Sequence, residues 1–129
     1  MNTALIRSKF NGSLAGTTTF PEVVIAFAAE GVERYDVDLV RMEKTTYMPN
    51  GESDLHPFEC SGSIAEEFSG PAVLASIRSI QAKQIRYREF LAQIMAAGCT
   101  GYSVYIRGTK AVYFGRRGET HVEEFPTAT

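Results

Sequence analysis

The strongest constraint on the fold is an internal repeat of about thirty residues. Residues 20–52 align with residues 87–119 at an offset of 67 positions, with a one-residue slip where each copy turns back on itself. Chance rarely preserves glycine, aromatic and apolar positions together over such a length. The chain is therefore predicted to use one structural unit twice. The matched pairs are Glu22 with Glu89, Ala29 with Ala96, Gly31 with Gly98, Tyr35 with Tyr102, Val37 with Val104 and, after the slip, Lys44 with Lys110 and Tyr47 with Tyr113.

Each copy begins with a helix that carries its apolar residues on one face. Residues 19–22 (TFPE) match a capping box with proline in the first turn, which marks a helix start, and Gly31 marks its end. The apolar stripe recurs over residues 90–95, and Gly98 marks the second end. Beyond each glycine the apolar period changes from about 3.6 to 2, which predicts a strand.

Each predicted strand is expected to turn back as a hairpin. Residues 107–110 (RGTK) fit a two-residue turn in which Gly108 takes a positive φ, and residues 110–114 form the returning strand. Residues 45–48 are the expected returning strand of the first copy. An isolated two-stranded ribbon is marginal in water, so the two hairpins need a shared partner surface.

Further helices are predicted outside the aligned segments. Residues 63–66 (SIAE) read as a capping box that begins a short helix, and residues 69–71 (SGP) begin a longer one. The counterpart of the longer helix in the first copy is residues 4–10. The repeated unit is therefore helix, helix, β-hairpin.

These elements predict one α+β domain over residues 1–129, since a chain of this length can bury a core of its own. Repeat one spans about 4–58 and repeat two about 71–125. The expected architecture is a four-stranded antiparallel sheet, or two hairpins related by a pseudo-twofold, packed against helices on one face.

Composition excludes several classes of function. The net charge of −2 gives the whole chain no electrostatic attraction to nucleic acid or anionic membranes. The longest apolar stretch, residues 23–29, is far shorter than the roughly 20 residues that cross a bilayer. Cys60 and Cys99 are too few for the disulfide framework of a secreted domain, which predicts a cytoplasmic protein.

Four stretches resemble a known family. Residues 31–39 (GVERYDVDL), 64–69 (IAEEFS), 94–102 (IMAAGCTGY) and 111–126 (AVYFGRRGETHVEEFP) are similar to the YbcV-like family of small bacterial and phage proteins, sometimes labelled phage envelope protein. The resemblance covers nearly the whole chain and is weakest over the first fifteen residues. It implies no activity and no established site residue.

The two histidines suggest a metal site. Glu52 and His56 in the first copy correspond loosely to Glu119 and His121 in the second, and two carboxylates with two imidazoles could bind zinc or iron. Their spacings differ, so exact symmetry would not place them equivalently, and the favoured interpretation is anchoring or solvated residues without a cofactor. A Cys60–His56 nucleophile is the other enzymatic alternative.

Charged residues on the hairpins suggest two binding surfaces. Lys110, Arg116 and Arg117 lie among aromatic residues, a composition that could contact an anion or single-stranded nucleic acid. A face formed by Asp36, Asp38, Tyr105 and Arg107 could pair with itself across a twofold axis as a homodimer, or bind a small polar ligand.

The favoured function is a non-enzymatic module that binds a small ligand or a protein. The alternative is a small metal-dependent or Cys/His hydrolase using the Gly-Glu-His segments. Contact with single-stranded nucleic acid through the second hairpin is a weaker alternative.

Overall fold

A computed structural model describes residues 1–126 of the chain. Within them the helices are α1 (Thr3–Ala15), α2 (Phe20–Ala29), α3 (Gly70–Gln81) and α4 (Tyr87–Ala96). The strands are β1 (Arg34–Asp38), β2 (Glu43–Tyr47), β3 (Ser53–Pro57), β4 (Cys99–Tyr105), β5 (Lys110–Gly115) and β6 (Thr120–Glu124). The α+β class predicted from the sequence is confirmed.

All six strands form one antiparallel sheet in the order β3-β2-β1-β4-β5-β6. The order helix, helix, strand, strand, strand occurs twice along the chain, and β1 pairs with β4 at the centre of the sheet. The predicted four-stranded sheet is thus wrong by two strands, β3 and β6, which close the edges. The origin of this arrangement by duplication stays a prediction.

The register corrects the predicted alignment of the two copies. Both tight turns have four residues, since Asp38 pairs with Glu43 and Tyr105 pairs with Lys110. In each turn the last residue has a positive φ: 57° at Met42 and 56° at Thr109. The two-residue turn with Gly108 at a positive φ is therefore wrong, and no slip occurs.

Helix boundaries follow local hydrogen bonding where the sequence marks them clearly. The Thr19 hydroxyl accepts from the Glu22 backbone N–H, the Glu22 carboxylate accepts from the Thr19 N–H, and Gly31 follows α2 with a φ of 78°. Ser69 caps α3 by accepting from the Ala72 N–H. Both predicted helix starts are confirmed.

The short helix predicted over residues 63–66 is absent from the described structure. The Ala65 N–H donates to the carbonyl of Met95 instead, at 2.9 Å. The Arg116 guanidinium donates to the carbonyls of Ile64 and Ala65. Tertiary hydrogen bonds thus take the backbone groups that a helix would have used.

The core lies between the helices and one face of the sheet. Along β1 and β2 buried residues alternate with partly exposed ones, so the helices cover a single face. We call the other side the open face. It presents Asp36 and Ser103 at its centre, with Leu55 and Val122 near its edges. No helix within residues 1–126 has the length and apolar character needed to span a bilayer.

Candidate functional site

A cavity of about 710 Å³ lies between the helices and the covered face of the sheet. Its floor is formed by side chains from four strands: Tyr35 of β1, Lys44 of β2, Tyr102 of β4, and Ala111 and Tyr113 of β5. Strand alternation directs these positions toward the helices. Both halves of the chain therefore contribute side chains to the cavity floor.

The walls of the cavity are mainly apolar and come from all four helices. Residues that form them include Phe10 of α1, Val23 of α2, Ile77 and Ile80 of α3, and Phe90 of α4. The rest of the lining comes from residues 18–21 at the start of α2, from Lys83, Ile85 and Arg86 before α4, and from residues 123–126 at the end of β6 and just after it. The lining thus combines an apolar wall with polar groups on the floor, as small-molecule sites commonly do.

Lys44 is the most unusual group on this floor. Its side chain is only 1% exposed, and within residues 1–126 it forms neither a hydrogen bond nor an ion pair. Its Nζ lies 4.4 Å from the ring centre of Tyr87, 4.6 Å from Phe10 and 5.4 Å from Phe58. The aromatic faces are its principal electrostatic partners.

Burial lowers the pKa of Lys44 to about 7, because desolvation penalises the ammonium form. The charge interaction with the neighbouring Cys60 is the smaller effect and acts in the opposite direction. At neutral pH a large fraction of Lys44 is therefore the free amine, which is both a hydrogen-bonding group and a nucleophile.

Tyrosine hydroxyls surround the same space. The hydroxyls of Tyr87 and Tyr102 are hydrogen-bonded at 2.5 Å, and the rings of Tyr102 and Tyr113 stack with centres 5.0 Å apart. Burial raises the pKa of Tyr35, Tyr102 and Tyr113, so these hydroxyls stay protonated. The Tyr35 and Tyr113 hydroxyls have no hydrogen-bond partner among the described residues and can serve a bound molecule.

The lysine occurs on one half of the floor only. Lys44 and Ala111 occupy equivalent positions, because each is the second residue of the strand that follows a four-residue turn. The inward-facing position that holds Lys44 on β2 therefore holds Ala111 on β5. The sequence alone did not mark Lys44, because the one-residue slip assumed in the alignment of the two copies matched it with the exposed Lys110. An alignment that kept the offset of 67 through the turn would have matched Lys44 with Ala111, which is buried. That match would have indicated that the Lys44 side chain faces the helices.

The four predicted metal ligands are not brought together. His56 lies on β3 and His121 on β6, which are the two edges of the six-stranded sheet. Five strand spacings separate them, or about 24 Å. Among the residues that the structure describes, no group of three or more His, Cys, Asp and Glu side chains could hold a metal ion.

Each predicted ligand of the first copy has a local partner. His56 Nε2 lies 3.0 Å from Asn11 Oδ1, and its ring stacks on Phe10. Glu52 accepts from the Asn50 side chain and lies 3.6 Å from the N-terminal ammonium. These contacts anchor the β2–β3 region against α1.

In the second copy, Glu119 has a hydrogen-bond partner among the described residues and His121 Nε2 has none. Glu119 accepts from the Arg117 backbone N–H at 2.8 Å, which closes the turn before β6. His121 Nε2 lies 3.5 Å from Glu123 Oε1, a separation that leaves this nitrogen without a hydrogen bond among the described residues.

The two members of the predicted Cys–His nucleophile each contact another group. The Cys60 thiol contacts the sulfur atoms of Met42 at 3.3 Å and Met95 at 4.0 Å, whereas His56 is bound to Asn11. Burial raises the pKa of Cys60, which disfavours the thiolate.

The predicted anion contacts mainly support a loop. Arg116 donates to the carbonyls of residues 64 and 65, and Arg117 pairs with Glu66 and Glu67. Lys110 is exposed and faces Glu124 across the β5–β6 pair. The charges of Arg116 and Arg117 are therefore directed to intramolecular partners.

Three residues of the predicted interaction face, Asp36, Asp38 and Tyr105, lie on the open face of the sheet. Asp36 accepts from the Ser103 hydroxyl at 2.7 Å, and Asp38 accepts from the backbone N–H groups of residues 40 and 41. Tyr105 lies on the same face and Arg107 lies in the exposed turn beyond it. The two carboxylates thus have local partners as well.

Comparison with known proteins adds no assignment. No protein-family model matches the chain, and no curated protein matches its sequence. The resemblance to the YbcV-like family stays a prediction.

Proposed function

We propose that this protein binds a small molecule with an apolar body and an oxygen-bearing head group in the cavity above the sheet. The observation that carries the proposal is Lys44, an amine buried on the cavity floor without a polar partner. Neighbouring tyrosine hydroxyls supply further donors for the head group.

The energetic basis is the cost of burying an amine. Transfer of an unpaired polar group from water into an apolar environment costs about 2–7 kcal/mol. A ligand oxygen within hydrogen-bond distance of Lys44 offsets part of that cost. Ligand binding therefore stabilises the group that the folded chain leaves unpaired.

The walls of the cavity favour an apolar body for the same molecule. Burial of a ligand's hydrocarbon surface stabilises binding by roughly 25 cal/mol for each Å² removed from water. The wall residues that would cover this surface include Phe10, Val23, Ile77 and Phe90. The cavity volume of about 710 Å³ falls within the range of roughly 300–1,000 Å³ typical of small-molecule sites. A hydrocarbon of modest size with one polar end fits both the volume and the lining.

These features favour binding over the enzymatic alternatives. The metal-dependent hydrolase needs His56 and His121 in one site, yet they occupy opposite edges of the sheet. The Cys/His alternative needs an imidazole beside Cys60, whose described hydrogen-bond contacts are methionine sulfur atoms. A cytoplasmic location remains part of the proposal, supported by the two free cysteines.

Isothermal titration calorimetry with 3-phenylpropanol and 3-phenylpropanoate tests the proposal. Both probes carry the same apolar body with different oxygen-bearing ends. We expect at least one to bind, and the substitution Ala111→Leu to weaken its affinity at least tenfold by filling the floor. Val112→Leu is the matched control. Val112 follows Ala111 in β5, but its side chain lies on the open face of the sheet, away from the cavity. Binding that is absent, or equally weakened by both substitutions, contradicts a site in this cavity.

A homodimer through the open face is a second proposal. Leu55 and Val122 lie in one row across the sheet, remain 47% and 52% exposed, and occupy equivalent positions on the two edge strands. A twofold contact would cover both residues at once. Sedimentation velocity should then show a concentration-dependent mass that Val122→Asp reduces to the monomer. A monomer at all concentrations contradicts it.

A further inference from the structure

We infer that the ligand of the cavity is an apolar aldehyde, which Lys44 captures reversibly as an imine. This inference rests on the proposed binding function and specifies its chemistry. It concerns the reacting atom, Lys44 Nζ, and the groups that face it.

The surroundings of Lys44 leave its amine available for reaction. Aromatic rings approach Nζ from α1 and α4 and from Phe58 after β3. The titratable groups near it are His56, its cross-strand partner on β3, the Cys60 thiol and the Tyr87 hydroxyl. None of these is a carboxylate, so no described neighbour holds the amine as a paired ammonium ion. No salt bridge therefore stabilises the ammonium form, and the nitrogen lone pair of the free amine is available to attack a carbonyl carbon.

The reaction balances without an oxidant or a reductant. The amine nitrogen forms a bond to the carbonyl carbon, and the carbonyl oxygen becomes the hydroxyl of a carbinolamine. One nitrogen proton passes to this oxygen as the carbinolamine forms. Loss of the hydroxyl with the second nitrogen proton releases one water and leaves a carbon–nitrogen double bond. Addition of water reverses the sequence and returns the aldehyde.

The cavity also supplies groups suited to these proton movements. Tyr87, whose ring centre lies 4.4 Å from Nζ, carries a hydroxyl that is hydrogen-bonded to Tyr102. A protonated hydroxyl pair can donate to the carbinolamine oxygen as it departs. The apolar walls limit access of water to the imine and slow its hydrolysis.

Burial makes Lys44 more reactive than a solvated lysine. A solvated lysine amine has a pKa of about 10.4, so roughly one in a thousand is neutral near pH 7.4. Lys44, with its pKa lowered to about 7, is mostly neutral there. Modification of Lys44 should therefore precede that of the other three lysines, Lys9, Lys83 and Lys110.

The test is reductive trapping with 3-phenylpropanal and sodium cyanoborohydride at pH 7.4, followed by peptide mass mapping over time. This saturated aldehyde forms imines but has no conjugated double bond that could add to Cys60. We expect a phenylpropyl group to form on Lys44 at least tenfold faster than on any other lysine. Lys44→Met should abolish the fast phase, whereas Lys110→Met, at an exposed position outside the cavity lining, should leave it unchanged. Thermal unfolding of each variant verifies that it is folded.

The non-covalent probes separate the two proposals. If 3-phenylpropanol or 3-phenylpropanoate binds in the cavity but trapping is distributed evenly over the four lysines, imine capture is refuted and the binding function stands. If no probe binds and Lys44 is not selectively trapped, both fail. Unfolding of Lys44→Met does not remove the test, because selective labelling of Lys44 in the unmodified protein decides the inference.

Discussion

Replacing Lys44 with methionine should remove a pH dependence of folding stability. Methionine retains an unbranched side chain of similar length without an ionisable group. In the folded protein the pKa of Lys44 is lowered from 10.5 to about 7 by burial. Between these values the unfolded chain binds more protons than the folded one, so the free energy of unfolding rises with pH. Below pH 7 both states are protonated and the destabilisation is fully present.

The size of the effect follows from the lowered pKa. The full difference corresponds to about 5 kcal/mol, since one unit of pKa corresponds to about 1.4 kcal/mol. At pH 7 the Lys44 amine of the folded protein is still half protonated. The free energy of unfolding therefore rises by about 1 kcal/mol between pH 7 and pH 8. Over this interval the lowered pKa of His56 acts in the same direction as that of Lys44, whereas the raised pKa values of Cys60 and Cys99 act in the opposite direction. All three groups are also present in the Lys44→Met variant.

Urea unfolding followed by circular dichroism at pH 7 and pH 8 measures this difference. The unmodified protein should gain about 1 kcal/mol over the interval, whereas Lys44→Met should be nearly flat and more stable at pH 7 by up to about 4 kcal/mol. The exposed Lys110→Met serves as the matched control and should retain the gain. Equal pH dependence in the unmodified protein and Lys44→Met would refute the role assigned to this amine.

Two further pairs of substitutions test the packing of the fold. Gly98→Ala should destabilise the fold by at least 3 kcal/mol, because φ is 90° and an added Cβ would lie 2.3 Å from a backbone carbonyl oxygen. Gly51→Ala, with a φ of 93° and no atom within 4 Å, should cost only about 1 kcal/mol, and equal losses in chemical denaturation would contradict this account. Tyr102→Phe should lose about 1 kcal/mol with its hydrogen bond to Tyr87, whereas Tyr105→Phe on the open face should lose little. A Tyr102→Phe variant as stable as the unmodified protein would show that this bond contributes nothing.

Local sequence signals predicted the helices best. The starts of α2 and α3 were recognisable because their caps involve residues three positions apart, as in the Thr19–Glu22 pair. The glycine that follows α2 was recognisable because a positive φ favours glycine. Residues 63–66 carried the same kind of signal, yet bonds to Met95 and Arg116 replaced the helix. A local capping pattern predicts a helix only where tertiary partners do not compete.

The two edge strands were missed because they lack a strong apolar alternation. Strands β3 and β6 alternate between exposed and intermediate residues, and none of their residues is fully buried. Their pairing with β2 and β5 stabilises them, and that pairing depends on residues several positions away in sequence. These strands carry the two histidines, and their positions at opposite edges of the sheet exclude a shared metal site.

The sequence by itself determined the α+β class, the repeated order of helices before strands and the strands at the centre of the sheet. These follow from spacing along the chain, since capping, helical periodicity and strand alternation act over a few residues. Only the tertiary structure decided that Lys44 is buried on a cavity floor while Lys110 is exposed. The reason is physical: the register of paired strands selects which side chains face the helices, and a shift of one residue reverses that choice.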